Sequence, residues 1–305
     1  MSNPSKDQWV AEALTELLQK QNPDSGWGYD SGKASSAEPT ALACLAILAH
    51  KETTQPIAAE KVDRAAAWLA SIQQPNGATG ISASIEEPCW PTAYSLIAWT
   101  NLPDHRTSAA NALQWLLNQK GEKGPNSDLF GHDPKLQGWP WLSETHSWIE
   151  PTAASIVALR RAGLNTHPRT QEGVRLILDR AITTGGWNYG NKTVLGRNLR
   201  PQPATTGLVL MALSDLNEQL EPIDRACSYL SDCLLTVRSP MSLCWGLLGL
   251  TAWNQRPDEY QSWLQQSYGR VRRFRTSTVE LAYLLIATSE RSWDLFAPLT
   301  LGSEV

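Results

Sequence analysis

Two glutamates in this chain stand directly before Pro-Thr-Ala: Glu38 in Glu38-Pro39-Thr40-Ala41 and Glu150 in Glu150-Pro151-Thr152-Ala153. A carboxylate just ahead of a helix-starting proline has two physical readings. It stabilises the positive end of the helix dipole by about 0.3–1 kcal/mol, or it donates a proton. The second role requires burial among apolar and aromatic groups to raise its pKa against the opposing pull of the helix N-terminus. Glu150 is the candidate acid. Glu38 and His146, four residues before Glu150, are its candidate supports, although a loop histidine is more often a structural hydrogen bonder.

The stretch ahead of Glu150 carries His132, Asp133, Gly138, Trp139, Pro140, Trp141, Glu144, His146 and Trp148. Long loops in compact domains are usually functional or disordered, and this many tryptophans argue against disorder. Trp139, Trp141 and Trp148, together with Trp90, Tyr94, Trp99 and Trp245, are candidate substrate-binding rings. Around an apolar cavity their faces would stabilise a carbocation by about 2 kcal/mol or more when desolvated. The plainer alternative is that they pack repeats together, and that reading is adopted for Trp27 and Trp187.

The elements that must position these groups follow from a repeated phrase. Trp90-Pro91-Thr92-Ala93 is a third copy, Ala204-Thr205-Thr206-Gly207 a weaker fourth, and Met241-Ser242 and Ser277-Thr278 are worn ones. The marker hydroxyls of Thr40, Thr92, Thr152, Thr206, Ser242 and Thr278 lie 52, 60, 54, 36 and 36 residues apart, a repeat architecture. Each marker opens a helix that is apolar nearly all round, such as Ala41 to Ala49 or Leu243 to Ala252, and such a helix must be buried on every side. The helices between have one apolar face, as Val62, Ala65, Ala66, Leu69 and Ile72 or Val174, Ile177, Leu178 and Ala181 illustrate. One-faced helices outside buried ones predict an all-α fold, a single α/α toroid of about six helical hairpins spanning residues 1–305, its inner ring lining a central cavity. Glycine turns join the layers at Gln21 to Gly26-Trp27, Gln74 to Gly77, Gln119 to Gly124 and Gly185-Gly186-Trp187.

Composition narrows the partners. At 305 residues and 42% hydrophobic the chain can bury a large core, and a net charge of −4 argues against nucleic acid. The run Arg270, Arg272, Arg273 and Arg275 is taken as a solvated face. No stretch approaches the roughly 20 apolar residues of a membrane span, so a cytoplasmic protein is expected, with peripheral membrane contact left open. Five cysteines without a CxxC, and no paired histidines at ligand spacing, predict reduced thiols, no metal and no cofactor.

The Gln...Gly-Trp turns resemble the QW motif of the squalene cyclase and protein prenyltransferase β-subunit superfamily, and the Thr-Ala helix openings are similar to its inner helices. The resemblance covers the whole chain and implies the toroid. It also implies a squalene–hopene-type terpene cyclase site, whose Asp-x-Asp-Asp-Thr-Ala motif would fall on Trp148 to Ala153, with Glu150 in place of the proton-donating aspartate and Glu38 in place of a second, supporting one. Trp148 and Pro151 depart from that motif. The zinc-dependent prenyltransferase branch is rejected, because Cys89 and Cys244 have no aspartate two residues before them.

Three functions are therefore weighed. The first is an isoprenoid-binding toroid acting as a proton-initiated terpene cyclase or isomerase, with a homodimer or partner protein closing the cavity. The second is a non-catalytic isoprenoid-binding or scaffold protein. The third is a carbohydrate-active toroid in which Glu38 and Glu150 are the acid and base pair, at about 5–5.5 Å for a retaining or 6.5–9.5 Å for an inverting mechanism.

Overall fold

A computed structural model describes residues 6–52, 56–125, 131–194, 196–216, 220–274 and 276–299. The buried helices expected from the repeat are α2 (Ala37–Leu48), α4 (Thr92–Thr100), α6 (Ile149–Arg161), α8 (Pro203–Ala212), α10 (Pro240–Ala252) and α12 (Thr278–Thr288). Between them run α1 (Lys6–Gln19), α3 (Pro56–Ser71), α5 (Arg106–Asn118), α7 (Pro168–Asp179), α9 (Glu221–Leu234) and α11 (Tyr260–Val271). Each inner helix packs against the next, and α12 returns to α2, so the inner ring is closed. The outer helices cover it, with α1 seated against α12 and α11 to join the two ends of the chain. The fold is an all-α toroid.

Several inner helices begin earlier than expected. Glu38 and Pro39 lie inside the first turn of α2, and Glu150 and Pro151 inside that of α6. Proline is tolerated there because the first-turn N–H groups have no intrahelical acceptor.

The marker threonines explain the repeat. In four repeats the Thr hydroxyl accepts the backbone N–H of a turn residue: Trp27 to Thr40 at 2.9 Å, Thr79 to Thr92 at 2.8 Å, Trp139 to Thr152 at 2.9 Å and Trp187 to Thr206 at 3.0 Å. The Thr40 hydroxyl in turn donates to the Ser36 carbonyl at 2.7 Å, and that of Thr92 to the Cys89 carbonyl at 2.7 Å. The turn tryptophans donate their indole N–H back to the preceding outer helix, Trp27 to Leu17, Trp139 to Leu116 and Trp187 to Ile177. Trp139 is thus the turn tryptophan of the third repeat, a place the sequence reading assigned to Gln119–Gly124. In the last repeat Ser277 caps α12 in a reciprocal box with Glu280.

Neighbouring repeats are joined by one recurring bond, from the start of an inner helix to the next repeat's turn. Ala37 N–H reaches the Ile81 carbonyl, Ile149 that of Tyr189, and Thr278 that of Tyr29 across the ring seam. The inner helices therefore start at one face, the mouth. Their C-terminal ends meet at the other, where Trp253 Nε1 donates to the Leu210 carbonyl and Ser289 Oγ to that of Ala49. Close approach of α8 and α10 depends on Gly207, where an added Cβ would lie 2.2 Å from the Trp245 carbonyl oxygen.

A short final helix, α13 (Ser292–Phe296), seals the far end. It packs on α6, α10 and α12, and Asn101 Nδ2 holds the Leu295 carbonyl at 3.2 Å. Below the plug Arg160 forms a buried ion pair with Asp215. A two-stranded hairpin, Thr193–Val194 with Arg197–Asn198, is the only sheet among the described residues. All five cysteines are free, and no described helix is long and apolar enough to cross a membrane. Within the basic run, Arg272 pairs with Glu12 at 2.6 Å, while Arg275 lies outside the described residues.

Candidate functional site

The ring brings Glu38 and Glu150 together at the mouth from two inner helices that flank α4. Glu38 Oε2 accepts the Tyr29 hydroxyl at 2.5 Å, and Oε1 lies 3.5 Å from the Tyr283 hydroxyl. Glu150 Oε1 accepts the Thr205 hydroxyl at 2.7 Å. Burial pushes the pKa of both carboxyls up. The two tyrosine hydroxyls pull Glu38 back down while the charge of Glu150 adds to the rise, and Thr205 pulls Glu150 down. No described lysine or arginine pairs with either. Burial and the charge of Glu38 raise the pKa of Tyr29, Tyr94 and Tyr283, and the charge of Glu150 adds to the rise at Tyr94.

Two nearby carboxyls without a cation share protons: the charge of one makes the other harder to ionise. The hydrogen bonds split the pair. Glu38 accepts from two phenols, which favours its ionised form, whereas Glu150 has the single threonine donor. Burial and the charge of Glu150 act on Glu38 in the opposite sense, and a pair balanced in this way can hold one acid and one base, the requirement of general acid–base chemistry.

The predicted rings fall into three groups. Trp90, Tyr94, Trp141 and Trp245 form one aromatic chain through the bore: Trp141 to Trp90 at 5.3 Å, Trp90 to Tyr94 at 6.0 Å and Tyr94 to Trp245 at 6.1 Å, with Phe296 of the plug 5.9 Å beyond. Tyr94 and Trp245 reach each other from opposite sides of the ring and are 8% and 3% exposed, so the bore beneath the carboxylates is filled. Among the described residues these rings stand where an open apolar cavity was expected, and both carboxylates are half-buried above them. Trp99 and Trp139 are buried, with indole N–H groups bound to the Ala66 and Leu116 carbonyls. Trp148 is 41% exposed at the rim. His146 is exposed in the third-repeat loop, its Nδ1 3.4 Å from the Glu122 carbonyl, with no hydrogen bond or ion pair to Glu150.

Four residues escaped the sequence reading, one of them Tyr283 of α12, whose hydroxyl faces Glu38. Tyr29 and Tyr189 each sit two residues after a turn tryptophan, the place Trp141 holds in the third repeat, and both are exposed at the mouth. That shared offset was the available signal. Thr205 precedes its marker threonine by one and was read only as part of the motif. The consecutive acids Glu86 and Glu87 are exposed in the loop before α4.

Volume does not decide where the chemistry lies. A surface groove of about 1100 Å³ between α1 and α3 sits at the far end among aliphatic stems and surface charges such as the Arg291–Glu52 pair. The perturbed carboxyls lie at the mouth, and such groups mark functional sites more specifically than volume does. Among the described residues no group of three or more His, Cys, Asp or Glu could hold a metal ion.

No family model matches the sequence, and no curated protein is significantly similar to it. Solved structures share the fold. A protein from Actinoplanes superposes with a TM-score of 0.59 at 16% identity, over 95% of this chain and 100% of that one. An inactive variant of an α-1,6-mannanase from Salegentibacter sp. HEL1_6, with two aspartates replaced and α-1,6-mannotriose bound, gives 0.63 at 13% identity over 94% and 99%. Salmonella α2-macroglobulin reacted with methylamine gives 0.54 at 14% identity, over 95% of this chain but 18% of that one. At these identities the likeness establishes the toroid. These neighbours are a glycosidase and a macroglobulin, not terpene cyclases. The squalene–hopene cyclase resemblance is corrected to the α/α toroid alone, and the terpene cyclase and isomerase assignments fall with it. The filled bore gives the physical reason, since an isoprenoid needs an enclosed apolar space that Tyr94 and Trp245 occupy.

Proposed function

We propose that this protein is a carbohydrate-active toroid, a glycoside hydrolase in which Glu150 is the general acid and Glu38 the ionised partner. The observation that carries the reading is the pair of carboxyls at the mouth of the ring, both raised by burial and without a cation partner among the described residues, together with the exposed rings of Tyr29, Trp148 and Tyr189. Glycoside hydrolysis needs two carboxyls, one protonated to release the leaving oxygen and one charged to activate water or attack the sugar. Tyr29 and Tyr283 fix the Glu38 carboxylate and favour its charge. Tyr29, Trp148 and Tyr189 offer faces of the kind that stack on sugar rings. Support by analogy comes from the mannanase of the same fold, which binds an oligosaccharide and is inactive when two of its carboxylates are replaced.

In the forward step Glu150 passes its proton to the glycosidic oxygen as that bond breaks. Glu38 either takes a proton from an attacking water or bonds the anomeric carbon, and the separation of the two carboxyls decides which. The test is a screen of α- and β-linked oligosaccharides for released reducing ends, followed by NMR of the first-formed anomer. Release from at least one linkage is expected; a complete lack of hydrolysis across neutral and acidic panels overturns the enzyme.

A second reading, a non-catalytic binding toroid, draws on the likeness to α2-macroglobulin and on the filled bore. It expects glycan binding with no new reducing ends, and retention of that binding when Glu150 is replaced by glutamine.

A further inference from the structure

Between the turns of the third and fourth repeats lies a recess of about 190 Å³. Arg180 lines it, with His132, His146, Trp148, Asn191 and Glu122. That volume is below the roughly 300–1,000 Å³ typical of drug-sized ligands, which suits one sugar ring better than an extended chain.

Arg180 makes this recess unusual. Three arginines are fully buried among the described residues: Arg160, Arg169 and Arg180. Arg160 pairs with Asp215, and Arg169 with Glu172 while also donating to the Gln119, Gln137 and Gly138 carbonyls. Arg180 has no carboxylate within salt-bridge distance among the described residues, and the opposing charge acting on it is that of the adjacent Asp179, whose Oδ2 accepts the Asp133 N–H. Its Nη1 donates to the Ser147 carbonyl at 2.8 Å, and its buried Nε has no partner. Burial lowers its pKa only to about 10, so it stays cationic at neutral pH. Buried charges are normally paired, because an isolated one loses hydration without compensation.

Trp148 supplies the second half of the site. Its six-membered ring lies against Gly190, where a Cβ would approach ring carbons to 2.9 and 3.2 Å, and the residue is still 41% exposed. Glycine thus seats one part of an indole whose remainder is free to stack. Two residues further on stands Glu150.

We propose that this recess is a subsite for a sugar residue bearing an anionic group, a carboxylate or a sulfate ester, bound by Arg180 and stacked on Trp148. A guanidinium binds either group through paired N–H donors. His132 and His146 also line the recess, and the opposing charges are those of Glu122, exposed at the rim, and Asp179, which acts on Arg180. The inference rests on the glycosidase reading, and makes its substrate an acidic glycan with the charged residue next to the cleaved bond.

The experiment is calorimetric binding of three probes to the Glu150→Gln protein at low and high salt: an oligoglucuronate, a sulfated manno-oligosaccharide and its neutral parent. One or both acidic probes should bind at least tenfold tighter than the neutral one, and salt should erode the difference. Arg180→Gln should remove the preference and Arg180→Lys retain part of it. Gly190→Ala, which displaces Trp148 and leaves Arg180 untouched, should weaken all three probes in a folded protein. Equal affinity for acidic and neutral probes, or a preference that survives Arg180→Gln, overturns the subsite. Hydrolysis of neutral glycans without acid preference sinks this inference alone. Arg180-dependent binding of an acidic glycan that the wild type never cleaves sinks the glycosidase and leaves the subsite. Binding of no glycan at all defeats both.

Discussion

At the scale of single residues the chemistry turns on who holds the proton. Both Glu38 and Glu150 have pKa values raised in the folded state, so the fold binds their protons more tightly than the unfolded chain does. Their contribution to stability is fullest below the ordinary carboxyl range and is lost as pH rises through the folded values. Glu150→Gln is therefore expected to melt at a higher temperature than wild type at pH 7, with the gap closing towards pH 4. Thermal melts across that range check the sign, and a variant that melts lower at pH 7 contradicts it. The Tyr29 hydroxyl acts the other way on Glu38, favouring the carboxylate. Tyr29→Phe should raise the Glu38 pKa and move the acid limb of the activity profile to higher pH, a shift that a packing role would not produce.

At the scale of elements the repeat is held by buried hydrogen bonds that one side chain organises. Thr152 accepts the Trp139 N–H, and Thr152→Val keeps the shape while leaving that donor unpaired. A loss of about 1–3 kcal/mol is expected from denaturant unfolding, and a neutral result would mean the bond is dispensable. This organisation was legible in the sequence because it is local: Thr40, Thr92 and Thr152 each sit 13 residues after the turn residue they bind. Where an insertion intervened, the reading slipped. The long third-repeat loop separates Trp139 from the Gln119–Gly124 turn, so its indole passed for a cavity ring. Tyr29 was invisible for a different reason. Its hydroxyl meets Glu38 through a turn, and its backbone carbonyl meets Thr278 only when the ring closes.

At the scale of the whole molecule the toroid is a closed ring of inner helices with a filled bore. Parallel inner helices bring six N-termini to the mouth, the end where a carboxylate is favoured, and burial then opposes that preference. The bore below is filled by Tyr94, Trp245 and Phe296, a long-range outcome that no periodicity contains. Three separate elements meet there, and α13 carries no repeat signal. Phe296→Ala is expected to destabilise the protein by about 3–5 kcal/mol in chemical denaturation, with turnover at the mouth unchanged. A stable variant would mean that α13 does not plug the bore.

The most direct measurement is the hydrolysis rate of an oligosaccharide panel by wild type, Glu150→Gln and Glu38→Gln, each first shown to be folded. The account predicts that wild type cleaves at least one linkage and that each variant is slower by roughly 10²–10⁴-fold, the contribution expected of a positioned acid or base. Cleavage at an undiminished rate by both variants, or none by the wild type, would contradict it.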